Sequence, residues 1–326
     1  MSLGGFKLAA IAAAAFVAAA LAPVPAQGAT RIEKHLALAP GGQLIVRSDI
    51  GSVVVRGDAA SGAAVVLTAD RDDLEKDYEI TFAAAPGQAR VIVKRRGGGW
   101  GWFEGWQHWR GKAEIAVSVP RATAAAVQTS GGRIEVSGLA GAAELSSSGG
   151  SVVARGLAGK LVAHSSGGGI DVHDMRGDVQ LSSSGGGVRA AAVRGEVEAW
   201  SSGGSVRLEQ VAGSVRARSS GGGVTIRGAG GRVEASSSGG PVNVSFAAGN
   251  AHGGHIDSSG GGVDVLVDPA VSLEVDAASS AGSVSCDLPV TIAGKISSHS
   301  IHGALHGGGE RLQVRSSGGG IRISPL

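Results

Sequence analysis

A chain of 326 residues with 57 glycines, 9 prolines and 3% aromatics lacks the strict three-residue glycine period of collagen. It also keeps Val, Ile and Leu alternating between the glycines, which disfavours a disordered linker. A formal charge of +2 with both signs interspersed argues against a nucleic-acid partner, and a single cysteine, Cys286, excludes an internal disulfide and reads as a small buried hydrophobe.

The first segment, residues 1–26, has the pattern of an export signal. Lys7 supplies a positive start, Leu8 to Leu21 an apolar stretch too short to span a bilayer with margin, and Ala22-Pro23-Val24-Pro25-Ala26 a small-residue cleavage site after Ala26. No cysteine follows closely enough to accept a lipid, and no later segment reaches the roughly 18 apolar residues of a membrane helix. The expectation is an exported chain in the periplasm, at the outer surface or outside the cell, with no transmembrane segment once the signal is removed.

Residues 27–120 form a strand-rich N-terminal region. Gly51-Ser52-Val53-Val54-Val55-Arg56-Gly57 nearly repeats Gly150-Ser151-Val152-Val153-Ala154-Arg155-Gly156, so this region starts the same structure as the array that follows. Longer alternating stretches, Ala64 to Ala69, Tyr78 to Ala83, Arg90 to Lys94 and Lys112 to Val119, predict antiparallel hairpins that cap one end. Within it, residues 97–111 hold Trp100, Trp102, Trp106 and Trp109, four of the five tryptophans of the chain. Glycine-rich flanks predict a loop, and two readings stay open for its rings: packing on the end of the array as part of the cap, or contact with a ligand or membrane.

Residues 121–245 carry the decisive pattern. The motif Ser-Ser-Gly-Gly-x-(Val/Ile) places its second serine position at Ser130, Ser148, Ser166, Ser184, Ser202, Ser220 and Ser238, an interval of 18 each time. A further glycine falls nine residues after the first of each unit, at Gly141, Gly159, Gly177, Gly195, Gly213 and Gly231. Apolar pairs two apart, such as Val206 and Leu208 or Val224 and Ile226, mark short strands with one buried face. Each coil therefore reads as strand, corner, strand, corner, with glycine at the corners to supply positive φ. The fold class is all-β, a parallel β-solenoid of 18-residue coils with an N-terminal cap.

Residues 18 apart should lie over one another. Lys160 then faces Asp178, Asp171 faces Arg189, Glu198 faces Arg216 and then Glu234, and Glu209 faces Arg227, a run of opposite signs that fixes register. Trp200 is expected to stack on Arg218, with contact to a partner as the alternative. Ser147, Ser165, Ser183, Ser201, Ser219 and Ser237 keep the inward phase and should form a hydroxyl ladder closing the corners; six equivalent serines without a base are not nucleophiles.

Residues 246–326 repeat the motif loosely at Ser259, Ser280, Ser298 and Ser317, as coils with short insertions. His299, His302 and His306 cluster here and form the one weak candidate for a metal site, but no cofactor is expected. The turns carry Ser where calcium-binding rolls carry Asp. No insertion builds a groove for a hydrolase or lyase between residues 130 and 238, so the chain is not expected to be an enzyme.

The signal, the mixed N-terminal region, the Val119-Pro120 step into Val127-Gln128-Thr129-Ser130-Gly131-Gly132-Arg133-Ile134-Glu135-Val136 and the serial Ser-Ser-Gly-Gly coils together resemble the DUF4097 "putative adhesin" family of bacterial envelope proteins. The resemblance covers nearly the whole mature chain. It implies an extended β-repeat fold at the cell envelope and transfers no catalytic or cofactor residue. The functional expectation is an exported structural or adhesin-like protein. Its alternative is a ligand-binding module in which Trp100, Trp102, Trp106 and Trp109 recognise an envelope glycan, a lipid surface or a peptide. Partners would be such a glycan, a lipid surface or another protein, and the repeat-like strand Ile321-Arg322-Ile323 near the end of the sequence suggests end-to-end pairing of copies.

Overall fold

A computed structural model describes residues 29–96, 112–292 and 297–326; the expected export signal and the tryptophan-rich segment lie outside the described residues. Alternation of inward Val, Ile, Leu and Ala with outward polar residues produces two long sheets of 14 and 15 strands. Setting aside the antiparallel Thr30–Leu36 and Ala63–Ala69 in one sheet, and Tyr78–Ala85, Thr291–Ile292 and Ser300–Leu305 in the other, leaves twelve parallel strands in each. One strand from each sheet makes a rung, and the buried apolar side chains of all rungs form one continuous core.

The 18-residue register holds from rung to rung. Val188 pairs with Val206 and Val206 with Val224 in one sheet, and Val197 pairs with Val215 and Val215 with Val233 in the other. Each regular coil buries two apolar residues per strand and one more that alternation did not reveal. That residue stands two places before the second-corner glycine, at Leu139, Leu157, Met175, Val193, Val211 and Ala229, and joins the same core.

The glycines are needed for a reason other than the expected one. At Gly132, Gly150, Gly168, Gly186, Gly204, Gly222 and Gly240 no positive φ occurs; instead a Cβ would fall between 1.6 and 2.6 Å from atoms of the adjoining rung. At Gly141, Gly159, Gly177, Gly195, Gly213 and Gly231 the approach would be 2.3 to 2.8 Å. Close stacking of backbone on backbone therefore excludes a side chain at both sites. In that second column Gly177 also has a positive φ, 138°, but the left-handed conformation recurs in a third column, Gly138, Gly156, Asp174, Ala192, Gln210 and Gly228, with φ between 54° and 73°, and three of these six carry side chains.

Both ends depart from sequence order. Gln43–Ser48 and Ser52–Ala59 form a rung lying between the rung of Gln88–Arg95 with Ala113–Pro120 and the rung of Ala124–Thr129 with Ile134–Ser137. The stretches expected as cap hairpins are thus half cap and half rung: Tyr78–Ala85 and Ala63–Ala69 pair antiparallel on the outside, while their partners are parallel members of the stack. At the other end, Glu310–Ser316 and Ile321–Pro325 lie between Gly254–Ser258 with Val263–Val267 and Leu273–Ser279 with Val284–Cys286. The motif at Ser317 therefore belongs between those at Ser259 and Ser280, and the one at Ser298 opens an antiparallel strand rather than a coil. The Ile321 strand, paired on both sides, is no open edge, which removes the stated basis for end-to-end pairing through it.

Candidate functional site

The serine column is the internal frame of the stack. Each hydroxyl donates to the corner carbonyl of the rung before it and accepts from the corner N–H of its own. Ser147 Oγ donates to Gly132 O at 3.0 Å and accepts from Gly150 N at 2.9 Å; Ser201 Oγ does the same with Gly186 O and Gly204 N, both at 2.9 Å. The pattern runs through Ser165, Ser183, Ser219 and Ser237 and extends beyond the expected six. Thr129 donates to Gly51 O, Ser258 to Gly240 O, Ser316 to Gly261 O and Ser279 to Gly319 O. The last two follow the spatial order of rungs, not the sequence. These buried hydroxyls are structural.

On the outer faces, Arg216 joins Glu198 at 2.6 Å and Glu234 at 2.8 Å, and its guanidinium holds the Glu234 carboxyl below the usual carboxylate range. The other expected pairs share register without an ion pair. Asp171 Oδ1 lies 2.9 Å from His173 Nε2 and makes no ion pair with Arg189, and Arg227 lies beside Glu209 in the ladder with no bridge to it among the described residues. Trp200 and Arg218 are direct neighbours across adjacent strands.

A cleft of about 1320 Å³ opens at the N-terminal corner, between the turn Asp49–Ser52 and the cap residues Asp70, Arg71, Asp77 and Tyr78. The chain leaves this corner after Arg96 and returns at Lys112, so both anchors of residues 97–111 stand here. Asp49 Oδ2 accepts from Arg95 N at 3.0 Å, Arg96 N donates to Asp77 O at 2.7 Å, and Asp70 Oδ2 accepts from Lys112 N at 2.7 Å. Two carboxylates and a cap carbonyl therefore hold the two anchors. Arg71 binds Asp73 and Asp77, the latter at 2.9 Å; its hydrogen bond lowers the Asp73 carboxyl and raises Arg71 itself. Burial pushes the Tyr78 phenol up. Trp100, Trp102, Trp106 and Trp109 lie outside the described residues, and the sequence offered no signal for the acidic anchors because Asp49 and Asp70 are distant from them along the chain.

The three late histidines do not converge. His299 Nδ1 lies 2.8 Å from Ser298 Oγ, His302 Nε2 3.6 Å from Glu274, and His306 Nε2 2.8 Å from Pro269 O. Among the described residues no group of three or more metal-type ligands is gathered. Cys286 is half-buried at the outermost rung rather than enclosed, and burial pushes its thiol up, which keeps it a poor nucleophile.

No curated protein matches the chain. Among solved structures, it is similar to a "putative cell adhesion protein" of Clostridium sporogenes (12% identity, 91% of this chain and 100% of that one, TM-score 0.22) and to a "putative adhesin" of Bacteroides fragilis (11%, 92% and 98%, 0.40). A third, a "Putative lipid binding protein" of Parabacteroides distasonis, gives 10%, 91% and 97%, and 0.34. The family described as Toastrack DUF4097 matches residues 86–324, a span that takes in the regular coils and the inserted C-terminal rung. The chain belongs to the Toastrack DUF4097 family.

Proposed function

We propose that this is an exported, non-enzymatic component of the cell envelope, adhesin-like in that a stiff stack carries exposed binding surfaces. The observation that carries the reading is the uninterrupted run of rungs from residue 130 to residue 238, where the strands follow one another without an insertion. No loop there raises a wall over either face, so the outer ladders suit extended partners and do not enclose a small substrate. Fractionating cells that express the full sequence tests the export. An envelope-associated chain beginning at Gln27 is expected, and a cytoplasmic chain retaining residues 1–26 would overturn the proposal.

A second reading, a ligand-binding module using the tryptophan-rich segment on an envelope glycan, a lipid surface or a peptide, is favoured by the acidic anchors. A segment whose two ends are each fixed by a carboxylate to a rigid corner loses less freedom on binding. Replacing Trp100, Trp102, Trp106 and Trp109 by Ala separates the two. Lost retention on glycan or liposomes with unchanged melting supports the module; a large fall in melting temperature with retention unchanged assigns the rings to the cap.

A further inference from the structure

A second groove, of about 660 Å³, runs over the outer face of the sheet that contains Val206–Val211. It is lined by the short polar side chains of Thr225, Asn243 and Ser245 and by Arg207, Arg227 and Arg322. The three arginines are exposed and have neither an ion pair nor a side-chain hydrogen bond among the described residues. That separates them from Arg155, Arg216 and Arg315, each bound to a carboxylate. The strand Val224–Ala229 also shifts register against its neighbour between Arg227 and Ala229, beside the groove.

The groove follows the stacking axis. Arg207, Thr225, Asn243, Asp264 and Arg322 occupy one outward column in successive rungs. The end guanidiniums are thus four rung steps apart, about 19 Å at a spacing of ~4.8 Å. Between them stand a hydroxyl, an amide and one carboxylate, with Leu266 exposed at the side. Guanidinium forks select carboxylate, sulfate or phosphate. Asp264, one rung step from Arg322, repels a ligand charged at every step, such as a nucleic acid or polyphosphate, while accepting hydrogen bonds from hydroxyls. An apolar edge at Leu266 suits the C–H face of a sugar ring.

We propose that this groove binds an acidic oligosaccharide lying along the stack, with acidic sugars separated by neutral ones. The site lies away from the N-terminal corner and does not depend on the tryptophan-rich segment. The test is calorimetry on the full chain at low salt with three probes: an oligosaccharide alternating glucuronic acid with N-acetylglucosamine, a polyuronate of equal length, and neutral dextran. Binding of the alternating probe is expected to weaken at least tenfold in R207A/R322A and to be unchanged in R216A on the opposite sheet, with melting temperatures held as the control. Asp264→Asn should instead strengthen binding, most for the polyuronate. Absence of binding by the alternating probe, equal binding of dextran, or indifference to both the arginine and the Asp264 substitutions would overturn the proposal.

Discussion

Removing one hydroxyl from the serine ladder tests how the stack is held. Ser201 is 4% exposed, and its Oγ is the hydrogen-bond partner of both Gly186 O and Gly204 N. Ser201→Ala keeps the volume and deletes both bonds. Each of the two backbone groups left without a partner costs about 1–3 kcal/mol, so the substitution should cost about 2–6 kcal/mol. Urea unfolding of the mature chain measures the loss. Amide exchange at Gly204 locates it, since a stack with nearest-neighbour coupling should loosen first at the injured rung. A loss under about 0.5 kcal/mol, with the Gly204 amide still protected, would refute the claim that the hydroxyls join rung to rung.

The two roles of the corner positions predict opposite signs. Ala192 has φ 55°, and a left-handed penalty of about 1–2 kcal/mol set against the extra entropy of glycine, about 0.5–1, makes Ala192→Gly stabilising by about 0.5–1 kcal/mol. Gly186→Ala brings a Cβ within 2.4 Å of Gly169 N and should cost more than about 4 kcal/mol; thermal melts of the two variants read the contrast. Asp276 accepts from Arg315 at 2.9 Å and also binds Arg311, both on the inserted rung, and the Arg315 hydrogen bond holds its carboxyl below the ordinary value. Its contribution is therefore present above about pH 4 and lost as pH falls through the depressed folded value. Asp276→Asn should flatten that acid limb, followed by circular dichroism. Cysteines at Asp257 and Arg315, or at Arg315 and Ala278, should crosslink on oxidation because these residues pair in adjacent strands. Cysteines at Asp257 and Ala278 should not, and ready bridging there would restore sequence-ordered stacking.

Much of this architecture is legible in the residues because the repeat is geometric. An interval of 18 between serines forces equal path lengths, and equal paths stack; Val197, Val215 and Val233 fall in register for that reason. The inward serines were readable from phase alone. Three things were not. Glycine's role was misassigned, because sequence cannot separate a need for positive φ from a need for close approach, and only the presence of Asp174, Ala192 and Gln210 in the left-handed column tells them apart. Ion pairs at spacing 18 need side-chain freedom as well as proximity, so Glu198, Arg216 and Glu234 join while Glu209 and Arg227 do not. The acidic anchors Asp49 and Asp70 lie over 40 residues from the backbone groups they hold, beyond any local motif.

The inserted end rungs follow from the physics of an exposed edge. An outermost parallel strand leaves a row of backbone groups unpaired and invites addition of another chain. Folding the outer coil back and sliding a later or earlier coil beneath it changes what stands at the edge. At the N-terminal end the outermost strands become Thr30–Leu36 and Tyr78–Ala85, antiparallel and only loosely buried. At the other end they become the two-residue Thr291–Ile292 and the three-residue Val284–Cys286. Short or antiparallel edges cannot template a further 18-residue coil, whereas Ile321–Pro325 and Ser52–Ala59, which match the repeat, are paired on both flanks. Among the described residues, the strands that match the repeat, and are therefore the best templates for a further coil, are the ones the topology encloses.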